Sequence, residues 1–253
     1  MCAGLNTGTV DLHCHLLPGI DDGARDLADA VEMARQAAAD GIAAICATPH
    51  IRADHAVCIE DLPARRAELR DALLQVGCST CVLPGGEVAA EMLGALDDPE
   101  LASVTLGGSG VWILLEPAPG PLDERLDAAV DALRARGFRV LLAHPERHPG
   151  PHFVDRLGRL IAKGALIQVT AAYLRDAPTR RAILTLARAG LIHVLGSDAH
   201  SSRAGRRVEL AAALEILATT EPVASHLEWV AHAAPWGIVR GQDVVSPFRS
   251  ADA

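Results

Sequence analysis

His13 and His15 stand one residue apart in DLHCHLLPGIDDG (residues 11–23), with Asp21 and Asp22 just downstream. They follow Val10 and Leu12 in an apolar run that reads as a short strand. Side chains two apart on a strand share a face, so both imidazoles can grip one ion. A lone pair of this kind is weak evidence, and the other histidines and acids decide its meaning. The ends of further apolar runs carry His50 (IAAICATPH), Glu87 (CVLPGGEV), Glu116 (VWILLEP), His144 (FRVLLAHP), then Asp198 and His200 (LIHVLGSDAH). The run ALIQVTA supplies no obvious ligand. Each residue alone has an ordinary reading. Asp22 could end a turn, His50 could sit in a loop, and Glu87 could cap a helix. Recurrence at the ends of successive runs is what chance does not explain.

With Asp22 the set holds five histidines and four carboxylates. Mixed imidazole and carboxylate ligation suits Mn, Fe or Zn rather than Ca, and the lack of thiolates argues against a structural zinc site. Nine ligands exceed the needs of one ion, so two or three divalent ions sharing a carboxylate are expected. Three such ions outweigh four carboxylates and leave a site attractive to a phosphate dianion. His193 has the wrong parity relative to Asp198 and is expected to face the helices. His55, His148, His152, His226 and His232 read as surface or loop residues.

A competing chemistry is spelled by Cys46-Ala-Thr-Pro-His-Ile-Arg52, the C-x5-R spacing of thiol-dependent tyrosine phosphatases. That loop needs backbone N–H donors around phosphate. This one lacks glycine, and Pro49 removes a donor. Cys46 also lies in an apolar run, where burial makes a thiol inert.

The elements that must position these residues are legible in the periodicity. Seven apolar runs recur every 25–40 residues or so, with helix-like stretches such as DLADAVEMARQAAADG and PLDERLDAAVDALRARG between them. The second opens on Pro121 and acids and closes on Arg134, Arg136 and Gly137, an order suited to the helix dipole. Near-continuous apolarity implies strands buried on both faces, as in a parallel sheet. The expectation is an α/β fold, a single barrel-like domain over residues 1–253. Its core spans about 9–240, ends in a helical segment around Glu221–Ala234, and leaves 241–253 as a loose tail. An open doubly wound sheet is the alternative, but no GxGxxG follows the first strand. In such barrels chemistry gathers at the C-terminal ends of the strands.

At 253 residues the chain fits one α/β barrel, and at 50% hydrophobic it can bury a core. A net charge of −9 disfavours nucleic-acid binding. No signal peptide or membrane-spanning run is evident, and the six cysteines form no regular framework. A cytoplasmic protein with reduced thiols is expected.

The segments DLHCHLLPGIDDGA, ATPH, GGEV, ILLEP, AHPER and GSDAH, in that order between Val10 and about Arg207, resemble the polymerase and histidinol phosphatase (PHP) family of metal-dependent phosphoesterases. Within it the chain most resembles the bacterial protein-tyrosine phosphatases of capsule and exopolysaccharide synthesis. Asp22 and Glu116 are carboxylates where histidinol-phosphatase-like relatives tend to have histidine, and AHPER, with its arginine, also resembles the tyrosine-phosphatase branch. The resemblance implies a distorted (β/α)7 TIM-like barrel with up to three metals, often manganese. It implies His13, His15, Glu87 and Asp198 on one ion. Glu87 would bridge to a second ion held by Glu116 and His144, with Asp22, His50 and His200 on the third. Arg147 would contact phosphate, joined by Arg206, with Arg203 and Arg207 as rivals because SDAHSSRAGRR has a one-residue insertion. Metal-activated water would attack phosphorus in line, and the expected protein substrate is a bacterial tyrosine autokinase. A small-molecule phosphatase of histidinol-phosphate type, or a non-catalytic binding module on the same barrel, are the competing expectations.

Overall fold

The computed structural model describes residues 8–175 and 177–248. The seven apolar runs form the strands of one curled parallel sheet. The first run is β1 (Thr9–Cys14). The second is split into β2 (Ile42–Ala47) and β3 (His50–Ile51), and the third into β4 (Cys81–Leu83) and β5 (Glu87–Ala89). Pro49 and Pro84 lie in the two breaks, where a missing N–H cannot continue a ladder. The remaining runs are β6 (Trp112–Glu116), β7 (Arg139–Leu142), β8 (Leu166–Thr170) and β9 (Val194–Gly196).

The ladders run β1–β2–β4 and β3–β5–β6–β7–β8–β9, every pairing parallel. One isolated bridge, Cys14 to Ala199, brings the first run back to the seventh. His15 N donates to Ala199 O at 2.9 Å, and Asp198 N donates to His13 O at 2.8 Å. The barrel is therefore curled but incompletely closed, and the seam runs between HCH and SDAH.

Helices wrap the sheet: α1 (Leu27–Ala39), α2 (Leu62–Gln75), α3 (Asp98–Ser103), α4 (Glu124–Ala135), α5 (Phe153–Ala162), α6 (Ala177–Arg188), α7 (Ala211–Leu217) and α8 (Ala234–Val239). The two stretches expected as helices are α1 and α4. Asp26 caps α1 by accepting from Asp29 N, and Asp123 caps α4 by accepting from Arg125 N. Ala30, Met33, Ala34 and Ala37 recur at helical spacing and give α1 its buried stripe.

Strand parity divides the core in two. Ile113 and Leu115 pack outward against the helices, while Trp112, Leu114, Leu141, Leu166 and Val194 fill the barrel interior. Ala234, Ile238 and Val239 of α8 join that inner cluster and close its lower end. The C-terminal helical region runs from Ala224 to Val239, further than expected. Part of the expected tail packs back: Phe248 lies edge-on to His193, His226 and Trp229. Residues 249–253 lie outside the described residues. Among those described, no helix is long and apolar enough to cross a membrane. Cys14, Cys46, Cys58 and Cys78 are free thiols.

Candidate metal centre

All nine residues singled out by type and spacing meet at the C-terminal mouth of the barrel. Three groups of side chains each bring their ligand atoms within 4.8 Å of one another: His13, His15 and Glu87; His50, Glu87 and Glu116; and His15, Asp22, His50 and His200. The other two join by direct contact. His144 Nε2 lies 2.8 Å from Glu87 Oε1, and Asp198 Oδ1 lies 3.6 Å from His13 Nε2 and 3.7 Å from His15 Nε2. Glu87 is shared between two groups, as a bridging carboxylate would be. The grouping differs in detail from the sharing implied by resemblance: His15 and His50 each fall in two groups, and His144 contacts Glu87 without completing a triad.

Local backbone geometry explains the convergence. Inward parity on β6 passes from Trp112 and Leu114 to Glu116, and on β8 from Leu166 to Gln168 and Thr170. His144 (φ 29°) and Asp198 (φ 52°) both adopt left-handed backbone just beyond β7 and β9. Strain of this kind collects at functional sites. Gly23 lets the PGIDDG loop fold onto His15, since a Cβ there would lie 2.3 Å from His15 O. That approach delivers Asp21 and Asp22 to the mouth.

Supporting residues fix the imidazoles. His15 Nδ1 pairs with Asp21 Oδ2 at 2.9 Å, and His13 Nδ1 with Gln168 Oε1 at 3.0 Å, leaving both Nε2 atoms aimed inward. Metal-binding histidines are commonly oriented through their other nitrogen in this way. Asp21 also accepts from His50 N at 3.0 Å. Asp29 of α1 accepts from Ser202 N at 3.0 Å, tethering the loop that carries Arg206.

The electrostatics fit resident cations. Burial works against ionised Glu87, yet His13, His144 and His15 around it hold its carboxyl well below the usual range. Burial opposes a protonated His15 too, but hydrogen bonds to Asp21 and Glu87 raise it to about 9. So much negative charge surrounds His15 that a positive charge is favoured there. Burial pushes His144 down to about 3, and burial with the charge of His15 and Arg206 pushes His200 down to about 2, keeping both neutral as metal ligation requires. His50 Nδ1 and Glu87 Oε2 stand 3.0 Å apart without forming a hydrogen bond, and His144 Nδ1 is likewise orphaned. Buried atoms of this kind are normally satisfied. A bound cation held by His50 and Glu87 would supply the missing partner.

Above the carboxylates opens a cleft of about 460 Å³, lined by Asp22, His50, Arg52, Glu116, Arg147 and Arg206 among others. Arg147 and Arg206 both bind the carboxylate of Asp198. Arg206 also donates to His200 Nδ1 at 2.9 Å. Of its rivals, Arg203 is exposed and neither it nor Arg207 lines the cleft. Arg52 is an unexpected third arginine, placing Nη1 3.1 and 3.2 Å from the two oxygens of Glu116. It turns away from Cys46, whose thiol burial pushes up to about 12. His193 is buried away from the centre, where its Nδ1 accepts from Ile167 N, as its parity predicted. His148 Nδ1 contacts Gly120 O in the loop region, whereas His55 stacks on His50 at 4.8 Å and sits closer to the centre than a plain surface residue.

Asp21, Gln168 and Arg52 have site roles that spacing did not single out. Asp21 shared the signal of Asp22, and Gln168 was visible as a polar residue in a buried run.

Comparison with known proteins agrees with this geometry. Residues 9–225 match the family described as "Capsular polysaccharide synthesis, CpsB/CapC". The chain is 34% identical over 203 residues to Tyrosine-protein phosphatase YwqE of Bacillus subtilis, covering 76% of this chain and 77% of the relative. It is 27% identical to CapC of Staphylococcus aureus over 199 residues, with the same coverage. Among solved structures it resembles one reported with YwqE from Bacillus subtilis and CpsB from Streptococcus pneumoniae as metal-dependent tyrosine phosphatases. There the TM-score is 0.79 and the identity 28%, over 93% of this chain and 96% of the other. A β-aspartyl dipeptidase from Fervidobacterium islandicum shares the fold alone, at a TM-score of 0.53 and 13% identity over 94% of this chain and 78% of that one. A curled parallel barrel with clustered sites for two to three metal ions at its mouth, matched along most of its length, places this chain in the CpsB/CapC family.

Proposed function

We propose that the chain is a metal-dependent protein-tyrosine phosphatase. The observation that carries this reading is the sharing of buried Glu87 between two ligand groups beneath an arginine-lined cleft. The nine ligands are His13, His15, Asp22, His50, Glu87, Glu116, His144, Asp198 and His200; the mixed donor set suits manganese, iron or zinc, and the family resemblance favours manganese. When bound, such ions lend acidity to water near neutral pH and offset charge on a phosphoryl group.

The protein's own groups do the rest. Arg147 and Arg206 hold the phosphate oxygens through planar, bidentate guanidinium contacts. Asp21 and Gln168 lock the rings of His15 and His13, so the cluster does not reorganise during reaction. The cleft admits an aromatic phosphomonoester from the surface. A phenol leaves with a pKa near 10, so a dedicated proton donor is less essential than for an alkyl phosphate. Buried Cys46 is no nucleophile, because its thiolate is strongly disfavoured. The substrate is a tyrosine autokinase controlling capsule or exopolysaccharide synthesis, met in the cytoplasm. The test is turnover of phosphotyrosine peptide against histidinol phosphate with manganese. Clear preference for the peptide is expected, and preference for histidinol phosphate would reassign the substrate.

A further inference from the structure

We infer that Tyr173 is the positioning residue that sets the spacing and angle of the two phosphate-binding arginines. This rests on the phosphoryl-binding reading of the cleft. With aromatics only 3% of residues, the chain places its single tyrosine at the mouth, on the turn that follows β8. The guanidinium carbon of Arg147 lies 5.3 Å from the ring centroid and that of Arg206 lies 5.9 Å from it. Arg206 Nη1 also donates to the tyrosine hydroxyl at 3.5 Å. The arrangement follows from topology. Arg147 follows β7, Tyr173 follows β8 and Arg206 follows β9, three strands that are neighbours in the sheet.

Two guanidinium groups aimed at one small anion repel each other, and a long side chain offers many rotamers that miss the target. A ring face attracts both cations and limits their motion while engaging a single N–H donor, that of Arg206 to the hydroxyl. Tyr173 is itself held, half-buried against the outer core, with its carbonyl accepting from Thr179 Oγ1 at 3.1 Å. The run that supplies no metal ligand thus supplies the bed for the anion grip.

The test compares Tyr173→Phe, which keeps the ring, with Tyr173→Leu, which keeps apolar packing but removes the π face. Both are assayed with manganese for kcat and KM on a phosphotyrosine peptide, inhibition by inorganic phosphate, metal content and thermal melting. In Tyr173→Leu, KM and the inhibition constant should rise about tenfold, the combined worth of two cation–π contacts. Its kcat, metal content and melting temperature should stay near wild type, and Tyr173→Phe should stay within about threefold on every measure. In an Arg206→Ala background the Tyr173→Leu penalty should shrink, because the two residues act as a unit. Unchanged phosphate affinity in Tyr173→Leu would overturn the inference. So would equal losses in the Phe and Leu variants, or loss of metal in Tyr173→Leu, which would make the residue merely structural. A wild-type protein that neither hydrolyses the peptide nor binds phosphate would refute the phosphatase reading, and the inference with it.

Discussion

The upper and lower halves of the same strands obey opposite rules. On β6, Trp112 and Leu114 lie below and Glu116 above; on β9, Val194 lies below and Asp198 follows above. The lower half is mostly apolar and sealed by α8; Trp112 Nε1 there donates to Gln242 O at 3.0 Å, and buried Asp11 on β1 accepts through Oδ1 from His13 N and Ser197 N. The upper half collects carboxylates and imidazoles and leaves Glu87 Oε2, His144 Nδ1 and Gln168 Nε2 buried without a hydrogen bond. Burying such groups unpaired is costly, so gathering several of them at one end of the fold holds that end ready for ligands. The lower half stabilises the barrel, and the upper half uses that stability.

Substitutions at the two levels should therefore fail in different ways. Asp198→Ala removes a carboxylate that contacts His13, His15, Arg147 and Arg206, and should cut phosphatase turnover by about 10²–10³-fold or more while the protein stays folded. Loss of the fold instead would assign Asp198 to the scaffold. Leu114→Ala should do the reverse, costing about 2–5 kcal/mol of stability in denaturant unfolding while activity per folded molecule changes little. A selective loss of turnover there would blur the division.

Cys46→Ser tests which chemistry the mouth uses. It should cost about 1–3 kcal/mol by burying a hydroxyl, with turnover changed less than about twofold. Abolished activity would restore the thiol mechanism. An effect confined to acid pH concerns His193, a buried imidazole outside the centre. Burial holds it down at about 3 against an ordinary 6.5. Between those values the unfolded chain binds a proton that the folded chain refuses, so this stabilisation is complete above about pH 6.5 and fades as pH falls towards 3. His193→Asn keeps an acceptor for Ile167 N and should flatten the acid side of the stability profile. An unaltered slope would contradict that assignment.

Most of the centre was legible because ligand type and strand-end position coincide. His13, Glu116, His144 and Asp198 follow apolar runs whose ends become the mouth, and position in the run is a property of sequence. The supporting groups were not legible for the opposite reason. Gln168 reaches His13 across 155 positions, and Arg52 reaches Glu116 across 64, through neighbour relations that exist only after the sheet has curled. Arg52 even suggested a different partner, Cys46, because local spacing says nothing of which way a side chain turns. Asp21 and Asp22 are adjacent, and only the Gly23 approach to His15 separates the ring-orienting carboxylate from the one facing His50 and His200. The fold was read with similar success; the breaks at Pro49 and Pro84 have a local cause in the missing N–H, but the inward return of Phe248 depends on packing rather than periodicity.

Metal content measured beside phosphotyrosine-peptide hydrolysis, before and after chelation, decides whether the mouth of the barrel works through bound cations. Two to three divalent ions per chain are expected, with loss of turnover when they are stripped and recovery on adding manganese. Full turnover in the stripped protein would contradict that expectation.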